Sequence, residues 1–372
     1  GTGSDYFLSG GDSLNAVNML TELEKTFGKK LRLEEVYRHS TVRKLAVLIR
    51  GKEVEKDRLE KAPARTVWPL SPSQESFYIL EQSDETGKSY HMAGAFRLQG
   101  DLEEGRLEKA FARLTEEEVL LRTGFEAGAD ALQARIHESA EFHLEHPAGK
   151  TVGEALAAFV RPFDLACPPL LRAGMVQCQG ETWLLMDMHH IISDGISSEL
   201  ILKRLDGYYR GDSPKVPAWH YFDYIWNLEK ERKEGLPSYW EQTLELGIQE
   251  LMLPLDRPRG PVFDGAGGRV YFALPGDLQQ KIQEYCLQNR ETLFTFLFTA
   301  WALLLSGVSG QSRFAVGVPL AGRRRQEFQE TVGAFVNTLP VTVDFSGEKT
   351  VETCLEQTGR TVREVIDSQE AS

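Results

Sequence analysis

The sequence predicts a small α-helical unit followed by a larger α/β domain made of two similar halves. Residues 1–50 hold apolar side chains at helical spacing, residues 51–67 are more than half charged, and from Trp68 onward strand-like apolar runs alternate with helical patterns. A chain of 372 residues is long enough for two or three domains of roughly 100–200 residues each.

The composition is that of a folded, soluble protein, with 41% hydrophobic and 26% charged residues. A net charge of −13 disfavours broad binding to nucleic-acid phosphates. The most apolar run, residues 293–305, is shorter than the about 20 residues of a membrane span, and no signal peptide opens the chain. The four cysteines form no C-x-x-C pair, which favours free thiols in a reducing compartment. We therefore expect a cytoplasmic protein without a membrane or nucleic-acid partner.

Two helices are predicted in the first unit. Apolar residues follow Ser13 at helical spacing and end before Gly28, a predicted helix C-terminus, and Thr41 is the predicted N-cap of a helix over residues 42–49. Because this unit alone would bury little apolar surface, we expect one of its helices to precede the chain. Residues 51–67, interrupted by a proline, are predicted to be a solvated linker.

Residues 10–14, Gly-Gly-Asp-Ser-Leu, lie directly before and at the start of the first predicted helix. Two glycines permit a tight turn, and Ser13 is then expected at a helix N-terminus with its hydroxyl exposed. Free backbone N–H groups and the positive end of the helix dipole would suit a phosphate there. On these residues alone, an ordinary helix cap is the simpler interpretation.

The large domain is predicted to alternate strands and helices. Strands are predicted over residues 96–98, 183–188, 269–274, 314–318 and 339–343. Helices are predicted over residues 102–114, 196–209, 277–287 and 293–305, with the last one buried. We expect the aromatic-rich residues 219–240 to connect the two halves.

Two adjacent histidines, His189 and His190, follow one predicted strand and precede a predicted helix. Neighbouring side chains on a strand point to opposite faces, so one should pack inward while the other faces a cleft. The pair cannot easily hold one metal ion, and no other His/Cys cluster has zinc spacing, so no metal is expected. Asp194 and Gly195 are predicted to form a turn. One core and one surface histidine without a chemical role is the alternative.

Several segments resemble known motifs. Residues 5–14 resemble the attachment site of acyl and peptidyl carrier proteins, Asp-x-Phe-x-x-x-Gly-Gly-x-Ser-Leu, with one residue fewer between Phe7 and Gly10. Residues 189–195 resemble the His-His-x-x-x-Asp-Gly motif of condensation domains of nonribosomal peptide synthetases, which acyltransferases of the chloramphenicol acetyltransferase type share. Four more segments are similar to motifs of that family: Ser-x-x-Gln at 71–74, Leu-Arg-Thr-x-Phe at 121–125, Gly-x-Phe-Val-Asn-Thr at 333–338, and Tyr-x-Asp-Tyr-x-x-Trp, which residues 221–226 match with one residue fewer before the tryptophan.

The resemblance implies a small α-helical carrier bundle plus an α/β condensation domain of the chloramphenicol acetyltransferase-like type, with two similar lobes in a V. Residues 1–50 would be a peptidyl carrier without its first helix, and residues 51–67 a linker. The N-terminal lobe would span 68–232, and an incomplete C-terminal lobe 233–372, because two late motifs, Gln-Asp-x-Pro-Phe-Glu and Arg-x-Pro-Leu-Phe, are absent from the sequence.

The resemblance also implies an acyltransferase that joins two carrier-bound substrates through an amide bond. Ser13 would carry 4′-phosphopantetheine, and the second histidine, His190, would be catalytic, either as a base or by orienting the amine. His189 and Gly195 would complete the active-site motif. Implied partners are donor and acceptor carrier domains, adenylation domains and a phosphopantetheinyl transferase.

Structural roles are implied for three other residues. Asp194 is expected to be held by Arg122, and Asn337 to order the chain crossover rather than bind the pantetheine arm. The arginine run at residues 323–325 is expected to be solvated, with contact to an arm phosphate as the alternative.

Two other functions stay open. An epimerisation domain has a similar fold and also follows a carrier, but its motif usually continues Asp-x-Val-Ser-Trp, whereas residues 194–198 read Asp-Gly-Ile-Ser-Ser. A non-catalytic condensation-like platform recruits partner enzymes and generally lacks the histidine motif. A heterocyclising relative, with aspartates in place of the histidines, is excluded.

Overall fold

The computed structural model describes the chain except for residues 8, 10–12, 30, 53–58, 85, 101, 233–237, 247–248, 258–266, 290, 324, 348 and 370–372. Within the helices, the description also leaves out the side chains of residues 13–15, 17–18, 21, 25, 231–232, 238, 244 and 246.

The first unit consists of three helices, α1 (Ser13–Phe27), α2 (Leu33–Arg38) and α3 (Val42–Gly51), around a small apolar core. Gly28 has φ 63°, a left-handed conformation typical of a helix C-terminus. Thr41 caps α3, because its Oγ1 accepts a hydrogen bond from the Lys44 N–H at 3.2 Å. Both predicted helix boundaries are therefore confirmed.

Part of the predicted solvated linker is docked. The N–H of Ala62 donates to the Asp223 carboxylate at 2.8 Å, and the Lys61 ammonium lies 2.9 Å from the same carboxylate. The Asn227 amide donates to the Glu60 carbonyl at 2.8 Å. Asp223 itself is fully buried. Residues 59–66 are therefore a strap along one helix. Most of them stay exposed, as expected for a linker, while their main-chain groups bind buried polar side chains, which the composition did not predict.

The large domain begins with a mixed half. Its elements are β1 (Val67–Pro69), α4 (Pro72–Ser83), β2 (His91–Arg97), α5 (Glu104–Glu117), a 3₁₀ turn (Val119–Arg122), β3 (Thr123–Ala127), β4 (Leu132–Ile136), β5 (Leu144–Glu145), α6 (Val152–Phe159), β6 (Leu171–Cys178), β7 (Glu181–His189), a second 3₁₀ turn (His190–Ile192), α7 (Gly195–Arg210) and α8 (Tyr221–Arg232).

Strand β7 lies inside the larger sheet of this half, whose order is β2-β7-β6-β5. It pairs antiparallel with β2 and β6, and His189 at its end lies opposite His91. A second sheet has the order β1-β4-β3. Because β7 is hydrogen-bonded on both sides, the histidine pair at its carboxyl end is held by two neighbouring strands.

The second half contains α9 (Ser238–Leu246), α10 (Gly276–Asn289), α11 (Leu293–Ser309), β8 (Arg313–Leu320), a 3₁₀ turn (Gln326–Phe328), β9 (Asn337–Asp344) and α12 (Val351–Asp367). Strands β8 and β9 pair antiparallel over eight residues each. Trp219 packs against the core of the first half and Trp240 belongs to the core of the second, while residues 233–237 between them lie outside the described part of the chain.

Two predictions for the second half are wrong. Residues 269–274 form no strand among the described residues, and their apolar side chains are exposed, Val270 to 89%, because no neighbouring strand pairs with them there. Helix α11 is not buried all round. Phe298 and Ala302 pack into the core, but Trp301 is 53% exposed on another face.

The segment between β8 and β9 packs back onto the first half of the domain. Phe328, Val332 and Phe335 all belong to the core that the first half builds. This return brings residues distant in sequence against the histidine turn.

No single described helix is long and apolar enough to cross a membrane. Helices α10 and α11 pass such a test only together, as a pair bent by 108°.

Candidate active site at the end of strand β7

The adjacent histidines point in different directions, as the strand pattern predicts. His189 is the last residue of β7 and is fully buried, whereas His190 begins the 3₁₀ turn and is partly exposed. The main-chain N–H of His190 donates to the Tyr90 carbonyl at 2.8 Å, which ties the turn to the start of β2. Of the two histidines, His190 is therefore the one whose side chain is accessible to solvent.

The hydrogen bond of the His190 ring indicates which nitrogen carries its proton. Nδ1 lies 3.2 Å from the Ser193 carbonyl oxygen, which only accepts, so Nδ1 donates. In a neutral ring, Nε2 then has the free lone pair. Phe77 of α4 stacks on the ring at 5.2 Å between centroids with an interplanar angle of 16°. The ring is thus held on one face and at one nitrogen, while Nε2 is chemically available.

The surroundings of His190 favour its neutral form. Burial lowers the pKa of His190 below the ordinary value of 6.5. The hydrogen bond to the Ser193 carbonyl and the charge of Asp194 act in the opposite direction. A neutral imidazole at neutral pH can accept a proton or a hydrogen bond from an amine.

Asp194 is a structural residue, but its partner is not the predicted one. Its carboxylate caps α7 by accepting from the Ser197 N–H at 2.7 Å. Arg323 Nη2 lies 3.0 and 3.1 Å from the two carboxylate oxygens, and the Phe335 N–H donates to Asp194 at 3.2 Å. Asp194 and Arg323 are both nearly inaccessible to solvent. This buried pair joins the histidine turn to the segment that returns between β8 and β9.

Arg122 binds elsewhere. Its guanidinium donates to the main-chain carbonyls of Glu116 at 3.0 Å and His137 at 2.7 Å. The predicted Arg122–Asp194 pair is therefore wrong. Arg122 instead holds the chain on both sides of β3 and β4.

The prediction of a solvated arginine run is also wrong for its first member. Arg323 is 4% exposed, its Nη1 donates to the carbonyls of Phe328 at 2.8 Å and Thr331 at 2.5 Å, and its guanidinium lies 4.0 Å over the Phe335 ring. A run of three arginines is typical of a solvated surface, so the sequence did not indicate that Arg323 is buried. Arg324 lies outside the described residues.

Two glycines of the motifs have different reasons to be glycine. A Cβ on Gly333 would lie 2.0 Å from the Tyr221 ring, so only glycine fits there. Tyr221 in turn donates to the Ala334 carbonyl and contacts Ser71 Oγ, both at 2.8 Å. Gly195, by contrast, is exposed at the first position of α7, and a Cβ there would meet nothing within 4 Å. It leaves open space beside the turn.

The motif segments meet around the histidine turn. Ser71 and Gln74 form a capping box at the start of α4, and the Gln74 amide also donates to the Ile191 carbonyl at 3.1 Å. Ser73 donates to the Val336 carbonyl at 2.7 Å. Asn337 begins β9 opposite Leu320, where the returning segment enters the sheet, and its role in ordering the crossover stays a prediction.

Ser13 is the first residue of α1, as predicted, and the first turn of α1 contains no acidic residue. The side chain of Ser13 and the preceding residues 10–12 lie outside the described part of the chain, so its predicted exposure is not tested. The helix N-terminus without acidic neighbours in its first turn fits a phosphate group. Among the described residues, no group of three or more His, Cys, Asp or Glu side chains could hold a metal ion.

Comparison with known families matches two models to the chain. The phosphopantetheine attachment site matches residues 2–49 and the condensation domain matches residues 64–372. A plipastatin synthase protein of Bacillus subtilis (strain 168) is 34% identical over 380 residues, covering 100% of this chain and 15% of the relative. Tyrocidine synthase 3 of Brevibacillus parabrevis is 33% identical, covering 100% of this chain and 6% of the relative. The chain thus spans a small part of these curated relatives.

Solved structures show the same fold. The complex of the X-domain and OxyB from teicoplanin biosynthesis has a TM-score of 0.78 at 24% identity, covering 85% of this chain and 74% of that one. The first condensation domain of the calcium-dependent antibiotic synthetase, with a substrate analogue, has a TM-score of 0.62 at 18% identity, covering 83% and 76%. The chain therefore belongs to the condensation-domain family of nonribosomal peptide synthetases, and a phosphopantetheine-attachment carrier domain precedes its condensation domain.

Proposed function

We propose that this chain forms amide bonds between two carrier-bound substrates, with His190 as the residue that contacts the reacting amine. The observation that carries the proposal is the state of the His190 ring: partly exposed, neutral by its surroundings, and bound through Nδ1 so that Nε2 is free. This makes the chain an acyltransferase that acts on activated thioesters.

The reaction needs little covalent help from the protein. The acceptor amine attacks the thioester carbonyl of the donor, a C–N bond forms, the C–S bond breaks, and the thiol leaves with a proton. An α-amine has a pKa of about 7.7–8.0, so a neutral His190 can orient the amine or take its proton as the bond forms. Holding both reactants in line can supply ~7–11 kcal/mol of the barrier.

Other residues keep the imidazole in place and shape its surroundings. The Asp194–Arg323 pair fixes the turn that follows His190. Gly195 leaves open space at the first position of α7, beside this turn. These groups act by position and electrostatics, which suits a reaction whose substrate is already activated.

For the carrier domain, we propose Ser13 as the attachment residue for 4′-phosphopantetheine. When attached, this group supplies a thiol that holds an acyl substrate as a thioester. The N-terminus of α1 would stabilise the phosphate. The proposed partners are a phosphopantetheinyl transferase, adenylation domains that load the carriers, and donor and acceptor carrier domains, all in the cytoplasm.

Mass spectrometry tests the attachment residue. The purified chain and its Ser13→Ala variant are incubated with coenzyme A and a phosphopantetheinyl transferase. We expect one added arm on the wild type and none on the variant. An arm that persists on Ser13→Ala, or none on the wild type, would contradict the assignment.

An assay with loaded carriers tests the reaction. The chain, loaded with a donor acyl group, is mixed with an aminoacyl acceptor carrier, and the products are released and analysed. Formation of the amide supports the proposal. Inversion at the donor α-carbon without an amide indicates an epimerisation domain, and carrier binding without turnover indicates a recruiting platform, so either result overturns it.

A further inference from the structure

Behind the histidine turn lies a buried carboxylate that the proposed reaction does not use. Glu81, near the end of α4, places Oε2 3.5 Å from Nε2 of His189, at the outer limit of hydrogen-bond distance. The two side chains are 7% and 0% exposed. Within the described chain, neither atom has another hydrogen-bond partner. Two buried polar atoms without partners are costly, and each is the natural partner of the other.

The hydrogen bond at Nδ1 of His189 indicates which ring nitrogen carries the hydrogen. Nδ1 accepts from the Ile191 N–H at 3.0 Å, so Nδ1 carries no proton. A neutral imidazole that accepts at Nδ1 must carry its hydrogen on Nε2, and a doubly protonated ring could not accept at all. The hydrogen of His189 therefore sits on Nε2, the ring nitrogen that lies 3.5 Å from the Glu81 carboxylate.

The neighbouring carboxylate, Asp187, already has other partners. Both of its oxygens lie 2.9 Å from Nδ1 of His91, and Arg172 lies 3.4 Å from the same carboxylate. The His91 ring is close to His189 only edge-on, with 5.9 Å between centroids. Glu81 is thus the carboxylate that remains for His189.

One face of α4 contacts the histidine turn along its whole length. Gln74 donates to the Ile191 carbonyl at 3.1 Å, Phe77 stacks on the His190 ring, and Glu81 faces His189. These positions are three and four residues apart, which places them on one side of the helix. The helix therefore supports both histidines and the main chain between them.

We propose that Glu81 is a positioning residue: it holds His189 as the Nε2–H tautomer, so that His189 binds the Ile191 N–H and keeps the turn of His190 in place. The proposal rests on the function proposed for His190, because the consequence for activity passes through that residue. Glu81 itself does not touch the substrates.

The test uses the full chain and three variants. Glu81→Leu removes the acceptor, Glu81→Gln keeps an acceptor oxygen without the charge, and Glu75→Leu removes a carboxylate from the first turn of the same helix as a control. Long-range ¹H–¹⁵N spectra of histidine-labelled protein give the tautomer of each ring. Amide formation with loaded carriers gives kcat and KM.

We expect wild-type His189 to carry its hydrogen on Nε2, with the same tautomer in Glu81→Gln and Glu75→Leu and a mixture in Glu81→Leu. We expect kcat of Glu81→Leu to fall by about 100-fold with KM little changed, and Glu81→Gln to restore most of the rate. A hydrogen on Nδ1 of wild-type His189, or an unchanged tautomer and rate in Glu81→Leu, would overturn the proposal. If the wild type forms no amide, the proposed function fails, while the tautomer spectra still decide the role of Glu81 at His189.

Discussion

At the scale of single residues, the charge partner of Asp194 differs from the one that the sequence motif implies. The Leu-Arg-Thr-x-Phe segment supplied Arg122 as the expected partner, but Arg122 binds main-chain carbonyls near β3 and β4. Arg323, more than a hundred residues downstream of Asp194, forms the buried pair. Removal of the Arg323 guanidinium would leave the Asp194 carboxylate buried without a charge partner.

Replacing each arginine with alanine distinguishes the two roles. Arg323→Ala should lower the free energy of unfolding by roughly 3–5 kcal/mol, because Asp194 stays buried without its charge partner. Arg122→Ala, at a partly exposed site, should cost about 1.5 kcal/mol. Denaturant unfolding of both variants measures the difference. A larger loss for Arg122→Ala would show that the assignment of Arg323 is wrong.

The pKa of the His190 ring tests its described surroundings. Burial lowers this pKa in the folded chain, so the ring stays neutral just below pH 6.5. An acceptor amine with a pKa of about 7.7–8.0 is already protonated there, so the pH profile of the rate alone does not isolate His190. The folded chain binds this proton less readily than the unfolded chain, so this group's contribution also makes stability decrease as pH falls below 6.5. A pH titration of the His190 ring, followed by NMR of histidine-labelled protein, measures this pKa directly. A midpoint above 6.5 for this ring would contradict the described surroundings of His190.

At the scale of elements, α8 combines two tasks. Tyr221 packs against Gly333 and so orders the returning segment, while Asp223 and Asn227 bind the strap of residues 59–66. Arg65 of the strap also lies 5.1 Å from the Trp226 ring. The Tyr-Phe-Asp-Tyr-Ile-Trp segment at residues 221–226 therefore has a structural role: it attaches the end of the linker to the condensation domain.

Limited proteolysis tests this attachment. Asp223→Ala removes the acceptor for the Ala62 N–H and the partner of Lys61, so trypsin should cut after Lys61 and Arg65 faster than in the wild type. Asp206→Ala, at an exposed site of α7, serves as the control. Mass spectrometry of the early fragments gives the cleavage rates. Equal rates after Lys61 and Arg65 in Asp223→Ala and control would contradict a docked strap.

Periodicity predicted several long helices and missed most short strands, and it also missed the eight-residue strand β6 and the twelve-residue helix α4. The helices that became α1, α5 and α7 were predictable because each presents an apolar face over three or more turns. Strands β3 to β5 were missed, since two to five residues carry too little pattern. Residues 269–274 show the reverse, because an apolar run forms a strand only when another strand pairs with it.

At the scale of the whole molecule, the site depends on contacts between the two halves. The histidines, the capping aspartate and the glycine after it were predictable, because they are consecutive in sequence and follow an apolar strand. Arg323, Phe77 and Glu81 were not, because their contacts with the turn exist only after β7, α4 and the returning segment pack together. The returning segment thus contacts the histidine turn, so that residues of both halves hold the turn in place.

The most direct test of the account compares single-turnover amide formation by the wild type, His190→Ala and His143→Ala with the same loaded carriers. His143 is an exposed histidine, so its variant is a matched control. We expect His190→Ala to lower the rate by roughly 10²–10⁴-fold with an unchanged circular dichroism spectrum, and His143→Ala to keep the wild-type rate. Equal rates in all three proteins, or no amide from the wild type, would contradict the central role of His190.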